Sequence, residues 1–192
     1  MISAPSGAGK TSILKSVLAA DSGLELSISH TTRARRSGEV DGVDYNFVTK
    51  EHFQQMIKDQ DFIEYAEVFG NYYGTAKSAV AEQLASKDLL LELDWQGALS
   101  IKALYPDAVW VFILPPTVAE LEARLVARST NSSADIALRL AQAKADMAYA
   151  SQSDYIVVNT EFAVACSELL AIIQAERLRS SRQKHVIDGI IN

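Results

Sequence analysis

The sequence contains a single cysteine, Cys166, among 192 residues, and this scarcity limits its chemistry. One cysteine excludes an internal disulfide and fits a reducing compartment. Its place in an apolar helical pattern favours a core position over a nucleophile. The sequence also has no apolar run as long as a membrane span and no signal-peptide pattern at its start. We therefore expect a cytoplasmic protein.

The chain also lacks an excess of positive charge, because 18 Lys and Arg against 24 Asp and Glu give a net charge of −6. We expect no general affinity for nucleic acid or for anionic membranes, so any anion site must be local. A content of 48% hydrophobic and 22% charged residues is typical of a globular chain. The length predicts one domain, or one core with insertions.

The stretch Ala4-Pro-Ser-Gly-Ala-Gly-Lys-Thr11 predicts a phosphate-binding loop that leads into a helix. Gly7 and Gly9 let the backbone turn with no Cβ to keep a phosphate away. Backbone N–H groups and the positive end of the helix attract the phosphate, Lys10 would reach the β- and γ-phosphates, and Thr11 would hold Mg²⁺. The first position is Ala4 instead of the usual glycine, and too few residues precede the loop for a full leading strand. The alternative is a glycine-rich turn before an ordinary helix.

Predicted strands and helices alternate along the chain, which indicates a parallel sheet with right-handed crossovers. We expect helices at about 10–20, 49–59, 77–86, 96–104 and 117–128, a further helix that Ser133 caps and that buries Ile136, Leu140 and Met147, and a long helix from about 162. We expect strands at about 24–28, 62–69, 89–93, 109–114 and 155–158, and a turn at 70–74. The polar, basic stretch that begins at residue 29 cannot form a core, so we interpret about 29–86 as a subdomain inserted into the main fold.

Polar residues at four further places are candidates for substrate binding. Arg33, Arg35 and Arg36 should face an anion, since guanidinium groups suit bidentate phosphate contacts, although a solvated loop is the alternative. Glu64 lies in an apolar strand, where it either faces water or accepts hydrogen bonds in a pocket. Guanine offers N1–H and N2–H₂ side by side as a matching donor pair, and adenine does not.

Two more places complete the set. The hydroxyl groups of Tyr72, Tyr73 and Thr75, at the predicted turn, would bind phosphate and base. Glu92 and Asp94 follow a buried strand, and in a parallel sheet that end faces the site, where a carboxylate can orient Mg²⁺ through water.

With these residues in place, the sequence resembles bacterial-type guanylate kinases over its whole length. The motifs that carry the resemblance are Ser3 to Thr11, Ser29-His-Thr-Thr-Arg33 with Arg36, Gly42-Val-Asp-Tyr-Asn-Phe47, Phe62-Ile-Glu64, Gly70-Asn-Tyr-Tyr-Gly74, Asp94-Trp-Gln-Gly97, Val158-Asn159 and Ala175-Glu-Arg-Leu-Arg179.

The resemblance implies an α/β fold of the P-loop NTPase type, with a parallel sheet flanked by helices, an inserted GMP-binding subdomain and a small helical lid, all in one guanylate-kinase-like domain over 1–192. The core would comprise about 1–28, 87–124 and 144–192, the GMP-binding subdomain about 29–86 and the lid about 125–143. The implied activity is a reversible, Mg²⁺-dependent transfer of the ATP γ-phosphoryl group to GMP, and to dGMP, in purine nucleotide metabolism.

The resemblance also assigns roles to individual residues. The ATP site would comprise Ala4, Pro5, Ser6, Gly7, Ala8, Gly9, Lys10 and Thr11, with Asn159 near the adenine. The GMP phosphate would lie on Arg33, Arg36, Tyr45 and Tyr73, and guanine on Ser29, Glu64 and Thr75, with Asp94 close to the nucleoside. Lys10, Arg36, Arg128 and Arg139 would be catalytic, and Mg²⁺ would lie on Thr11, with Glu92 or Asp94 acting through water.

The lid is where the sequence departs from the family. The family has Arg-Gly followed by acidic residues, and this chain has Arg128-Ser-Thr-Asn-Ser-Ser-Ala-Asp135. A phosphopeptide-binding module of the guanylate-kinase type, without catalysis, is the alternative from another class, and a kinase for another nucleoside monophosphate is the closer rival. The basic tail around Arg177 and Arg179 either complements the negative end of the last helix or forms a subunit contact, which leaves a homo-oligomer open.

Overall fold

Helices and strands alternate along the parts of the chain that the structure, a computed structural model, describes: residues 1–84, 87–128 and 133–191. The helices are α1 (Lys10–Ala20), α2 (Lys50–Lys58), α3 (Lys77–Gln83), α4 (Trp95–Leu104), α5 (Val118–Arg128), α6 (Ser133–Met147), α7 (Phe162–Arg177) and α8 (Lys184–Ile191). The strands are β1 (Ile2–Ser3), β2 (Leu24–Leu26), β3 (His30–Thr31), β4 (Asn46–Phe47), β5 (Phe62–Val68), β6 (Asn71–Ala76), β7 (Asp88–Leu90), β8 (Val111–Leu114) and β9 (Tyr155–Val158).

The core of the fold is a parallel sheet. β8 lies between β1 and β9, and β2 pairs with β7, all in parallel register. Ile2 joins the two groups, because its N–H donates to the Leu91 carbonyl at 2.9 Å and its own carbonyl accepts from the Leu93 N–H at 3.1 Å. The resulting order is β2-β7-β1-β8-β9, which confirms the predicted α/β class and its parallel sheet.

Both faces of this sheet are covered by apolar side chains. Successive strand residues point to opposite faces, so Val111 and Ile113 pack in one cluster, which includes α1 and α7, while Trp110 and Phe112 pack in another, which includes α4. Cys166 is buried in the first cluster, as predicted. The carboxyl ends of β1 and β7 are thereby held rigidly where the phosphate-binding loop begins.

The inserted subdomain has a sheet of its own, with strand order β4-β3-β6-β5. Only β3 and β4 are parallel there, and β6 is antiparallel to both of its neighbours. Phe53 of α2 stacks on Phe62 and on Tyr72, with ring centroids 4.4 and 5.4 Å apart. This aromatic core fixes β5 and β6, which carry several of the predicted GMP-binding residues.

The predicted turn at 70–74 is wrong, because Asn71–Ala76 forms a strand paired with β5. The turn consists of Phe69 and Gly70, whose φ angles are +50° and +74°. Positive φ at both central residues is typical of a two-residue hairpin turn whose twist matches its strands. Tyr72, Tyr73 and Thr75 therefore project from a strand and not from a loop.

Helix ends differ in smaller ways from the prediction. The helix predicted at 77–86 ends at Gln83, and α8 follows α7 although no helix was predicted there.

Among the described helices, none combines the length and apolar character needed to cross a membrane. In the predicted lid, α5 and α6 pack together through Leu121, Leu125 and Ala143. The departure from the family at 129–132 lies outside the described residues.

Candidate functional site

The loop between β1 and α1 has the conformation that a phosphate-binding loop requires. Gly7 and Gly9 have φ angles of +93° and +96°, which residues with a Cβ rarely adopt. Gly9 is also the N-cap of α1, and no side chain caps this helix end. Because a helix begins with N–H groups that lack intrahelical partners, this end is suited to an anion.

A side chain from the far edge of the sheet supports the loop from behind. Asn159, directly after β9, donates from Nδ2 to the Ala8 carbonyl at 2.8 Å, and both residues are buried. The Asn159 side chain lies against the loop backbone, so its predicted place near the adenine stays a prediction.

Lys10 and Thr11, the first two residues of α1, reach the carboxyl end of β7. Lys10 Nζ donates to the Leu93 carbonyl at 2.7 Å and lies 3.8 Å from Glu92 Oε1. Thr11 Oγ1 donates to the same Glu92 oxygen at 2.8 Å. A lysine, a hydroxyl and a carboxylate thus meet at the point where phosphates bound on the loop would lie.

The oxygen donors at this end of the sheet suit Mg²⁺. Thr11 Oγ1 and Glu92 Oε1 are hard ligands, and Asp94 follows on the same strand end. Within the described residues, no group of three His, Cys, Asp or Glu side chains could hold a metal. The oxygens of Thr11 and Glu92 fit an ion that keeps several waters and takes its other ligands from phosphates, as Mg²⁺ does.

Glu64 is buried, and its surroundings are built for a hydrogen-bonded carboxyl group. It is only 7% exposed, and its Oε1 accepts from Thr75 Oγ1 at 2.6 Å across the β5–β6 pair. Burial raises the pKa of Glu64 to about 7, with a further rise from the charge of Asp94, while the hydrogen bonds from Thr75 act in the opposite direction. Sequence reasoning left open whether Glu64 faces water, and the structure shows that it does not.

Asp94 borders the same pocket. It is the N-cap of α4, with Oδ1 accepting from the Gly97 N–H at 2.8 Å. The cap fixes the orientation of the Asp94 carboxylate. Asp94 and Glu64 both lie next to Gly97 in the first turn of α4, so this part of the cleft is acidic.

Arg33 is paired with a carboxylate that sequence reasoning missed. Its guanidinium donates to both oxygens of Glu39, at 2.8 and 3.0 Å, and lies over the ring of Tyr45. Glu39 also accepts from the Arg36 backbone N–H at 2.8 Å. The bond from Arg33 keeps the pKa of Glu39 below its usual value. An acidic residue within a basic loop was the available signal, because two-point contact between guanidinium and carboxylate is a preferred pairing.

One cleft of about 290 Å³ brings most of the predicted residues together. It is lined by Ala4, Pro5, Ser6, Gly7, Gly9, Lys10, Thr11, Ser29, Arg36, Tyr45, Glu64, Tyr73, Glu92, Asp94 and Arg139. A neighbouring cleft of about 770 Å³ adds Arg33 and shares Arg36, Tyr45 and Arg139 with the first. Ala8, Thr75 and Asn159 lie behind the lining residues. The side chain of Arg128 lies outside the described residues.

The cleft also contains Asp146 of α6, which sequence reasoning did not single out. Asp146 accepts from Trp95 Nε1 at 3.1 Å, and Trp95 stacks on Tyr149 with ring centroids 3.6 Å apart. Partial burial raises the pKa of Asp146. These contacts attach the helix that carries Arg139 to the first turn of α4.

A separate apolar cavity of about 390 Å³ lies near β2, β7 and the end of α7, with Leu24, Leu89 and Ile173 in its wall. None of the predicted site residues whose side chains the structure describes lines it. Two arginines also line it, but Arg177 is paired with Asp21 and Asp88, and Arg182 lies 3.9 Å from Glu176. Because the predicted residues lie elsewhere, the polar cleft is the candidate site.

Known proteins are similar to this chain over most of its length. The family model described as guanylate kinase matches residues 1–176. A guanylate kinase from Thiobacillus denitrificans is 49% identical over 184 residues, which are 95% of this chain and 88% of the relative. One from Hydrogenovibrio crunogenus is 48% identical over 100% of this chain and 94% of its own length.

A solved structure is similar as well. The crystal structure of guanylate kinase from Anaplasma phagocytophilum matches with a TM-score of 0.78 and 31% identity, over 94% of this chain and 86% of that one. The loop, the acidic pocket, the relatives and the structural match agree, and the chain belongs to the guanylate kinase family.

Proposed function

We propose that this chain transfers the γ-phosphoryl group of ATP to GMP and dGMP, with Mg²⁺, through the residues that line the polar cleft. Membership of the guanylate kinase family makes it a nucleoside monophosphate kinase, an ATP:GMP phosphotransferase. The observation that carries the residue assignment is the common cleft, in which Gly7, Gly9 and Lys10 are on one wall and Glu64 is on the other.

An enzyme catalyses phosphoryl transfer mainly by positioning the two substrates and by stabilising negative charge, and it needs no covalent intermediate. The transition state is loose, and its charge is spread over the phosphate oxygens, so two polyanions must be held in line and neutralised. Lys10 and the N–H groups at the start of α1 serve the donor phosphates. Arg36 and Arg139 line the same cleft and supply positive charge where the two nucleotides meet.

Guanine is the base that fits the acidic pocket. An ionised Glu64 carboxylate accepts from N1–H and N2–H₂ of guanine, and adenine lacks this donor pair. Thr75 holds Oε1 in position through its 2.6 Å hydrogen bond, and Ser29 lies at the same cleft. A site built for such hydrogen bonds can reject a base that lacks them by up to about 10⁴–10⁵-fold.

Mg²⁺ fits the strand end next to the loop. Thr11 would hold it directly, with Glu92 or Asp94 acting through water. The chemistry that the ion supplies when bound is charge neutralisation at the phosphate oxygens. In this structure the Thr11 hydroxyl donates its proton to Glu92, and this bond leaves the lone pairs of Oγ1 available to a cation.

Binding of the GMP phosphate involves guanidinium donors that already have a partner in this structure. Arg33 makes its two-point contact with Glu39, and the phosphate would take over or share these donors. Tyr45 and Tyr73, with ring centroids 6.0 Å apart, lie beside this position and would add hydroxyl donors.

The test is a coupled assay with ATP and equal concentrations of GMP, dGMP, AMP or UMP. We expect turnover with GMP and dGMP that exceeds turnover with AMP and UMP by orders of magnitude. A Glu64→Ala variant should use GMP much less efficiently, through a higher KM for GMP, while its affinity for ATP changes far less. A phosphopeptide-binding module would show no turnover at all, and a kinase for another monophosphate would prefer AMP or UMP. The cytoplasmic location and the oligomeric state stay predictions.

A further inference from the structure

The first turn of α4 contains a glycine that touches the carboxylate of Glu64. Gly97 is the third residue of α4 and is buried. A Cβ built on Gly97 would lie 2.6 Å from Glu64 Oε2 and 3.2 Å from Glu64 Cδ. It would also lie 3.4 Å from Asp94 Oδ1. A methyl group at this position would therefore overlap the carboxylate that the proposed function assigns to guanine.

The backbone gives no reason for a glycine here. The glycines with positive φ are Gly7, Gly9, Gly38, Gly42 and Gly70, and Gly97 is not among them. Within a helix, glycine is less favourable than alanine by about 1 kcal/mol. The sequence thus has an unfavourable residue at a position where alanine would suit the backbone, and the compensating feature is the space next to Glu64.

We infer that Gly97 is a specificity-determining residue for the acceptor base, because it leaves the volume in which the Glu64 carboxylate must lie to face guanine. This inference rests on the proposed role of Glu64. Gly97 is a positioning residue: it touches Glu64 and acts on the base only through that carboxylate.

The carboxylate has little freedom to avoid an added methyl group. Its Oε1 is held by Thr75 Oγ1 at 2.6 Å, while Oε2 faces the first turn of α4. Pressure from α4 must either break the bond to Thr75 or push the carboxylate towards the cleft. The group that moves is the end of a flexible side chain and not backbone, so the fold should tolerate a change that removes the carboxylate from its place.

The test compares Gly97→Ala with Gly189→Ala as a matched control. Gly189 lies in α8, far from the residues that line the polar cleft, and among the described residues no heavy atom lies within 4 Å of a Cβ built on it. For Gly97→Ala we expect at least a tenfold rise in the KM for GMP, less than a twofold change in the KM for ATP, and an unfolding midpoint in urea no lower than that of the wild type. Gly189→Ala should change neither KM.

A double-mutant cycle with Glu64→Ala separates positioning from a general effect on the helix. If Gly97 acts through Glu64, Gly97→Ala should have no further effect on the KM for GMP once Glu64 is alanine. If Gly97→Ala fails to fold, adding Glu64→Ala should restore folding, because it removes the atoms that the methyl group strikes. A single variant with unchanged KM for GMP, a further rise in the double variant, or a folding loss that Glu64→Ala does not restore would each overturn the inference.

The same experiment distinguishes this inference from the proposed function. If Glu64→Ala itself leaves the KM for GMP unchanged, the guanine role of Glu64 is wrong, and the inference about Gly97 falls with it. If Glu64→Ala raises that KM and Gly97→Ala does not, only the inference about Gly97 is overturned.

Discussion

Replacing Glu64 with glutamine should have opposite effects on stability and on substrate use. The change keeps the size of the side chain and an oxygen that can accept from Thr75 Oγ1, but it removes the charge. Because Glu64 is buried, the pKa of its carboxyl is raised to about 7. The wild-type protein must therefore bury a charge at high pH, and the variant never does.

The direction in which the free energy of unfolding changes with pH follows from the number of protons that Glu64 binds in the folded and unfolded states. Between the ordinary pKa of 4.5 and the folded value of about 7, the folded protein binds more protons at Glu64 than the unfolded chain. Stability from this group is therefore fully present below pH 4.5 and is lost as the pH rises to about 7. From pH 5 to pH 8 the loss amounts to about 2.5 kcal/mol.

Urea unfolding of both proteins at pH 5, 6, 7 and 8 measures this effect. Other titrating groups affect both proteins alike, so the difference between the two unfolding free energies isolates Glu64. We expect Glu64→Gln to gain about 2.5 kcal/mol relative to the wild type between pH 5 and pH 8. Parallel pH profiles for the two proteins would refute the buried carboxyl with a raised pKa.

Glu64→Gln should be more stable than the wild type at high pH but less active with GMP. At pH 8 both oxygens of the ionised carboxylate can accept from N1–H and N2–H₂ of guanine. The glutamine amide has an NH₂ group in place of one oxygen, and this group faces a guanine donor. The kcat/KM for GMP should therefore fall about 100-fold. This advantage of the wild type should shrink as the pH falls below 7. The GMP phosphate also titrates near pH 6, but equally for both proteins, so the ratio of the two kcat/KM values reports Glu64. A ratio independent of pH would contradict the role of the ionised form.

Three further substitutions test the other parts of the cleft. Lys10→Met should lower kcat about 10²–10³-fold with unchanged urea unfolding, and substantial remaining turnover in the coupled assay would remove Lys10 from the mechanism. Arg36→Ala should raise the KM for GMP about tenfold and leave the KM for ATP unchanged; equal rises would speak against a GMP-phosphate contact. Asn159→Ala leaves the buried Ala8 carbonyl without its partner, so stability should fall by about 1–3 kcal/mol and use of all nucleoside triphosphate donors should weaken alike. A loss confined to ATP would instead support a contact with adenine.

The predictions that succeeded depend on residues close together in the sequence. Positive φ at Gly7 and Gly9 follows from a tight loop before a helix, and the helix predicted from about residue 117 is capped by the Thr117 hydroxyl, which accepts from the Glu120 N–H. The buried run at Val111–Leu114 forms the interior strand β8, between β1 and β9, because a strand covered on both faces needs apolar residues throughout.

The features that were missed depend on contacts between distant parts of the chain. Nothing in the sequence near Gly97 indicates that a carboxylate from β5 will lie against it. Asp146 accepts from Gln142 on its own helix and also from Trp95 on α4, and only the fold brings Trp95 and Asp146 together. The hairpin turn at Phe69 was not predicted, because bulky residues rarely adopt a positive φ. Pairing of the two flanking strands overrides this backbone preference of Phe69.

Two cations of the neighbouring clefts, Arg33 and Lys10, already have partners in this structure, and this limits which ligands can compete for them. Arg33 donates two hydrogen bonds to Glu39, and Lys10 donates to the Leu93 carbonyl and lies 3.8 Å from Glu92 Oε1. A ligand with a single negative charge would replace one carboxylate contact with another and gain little, while its own desolvation opposes binding. A phosphate carries about two charges and three acceptor oxygens, so it can occupy Arg33 while Glu39 keeps the Arg36 N–H. The pairing therefore favours phosphorylated ligands over simple carboxylates, and base selection is left to Glu64.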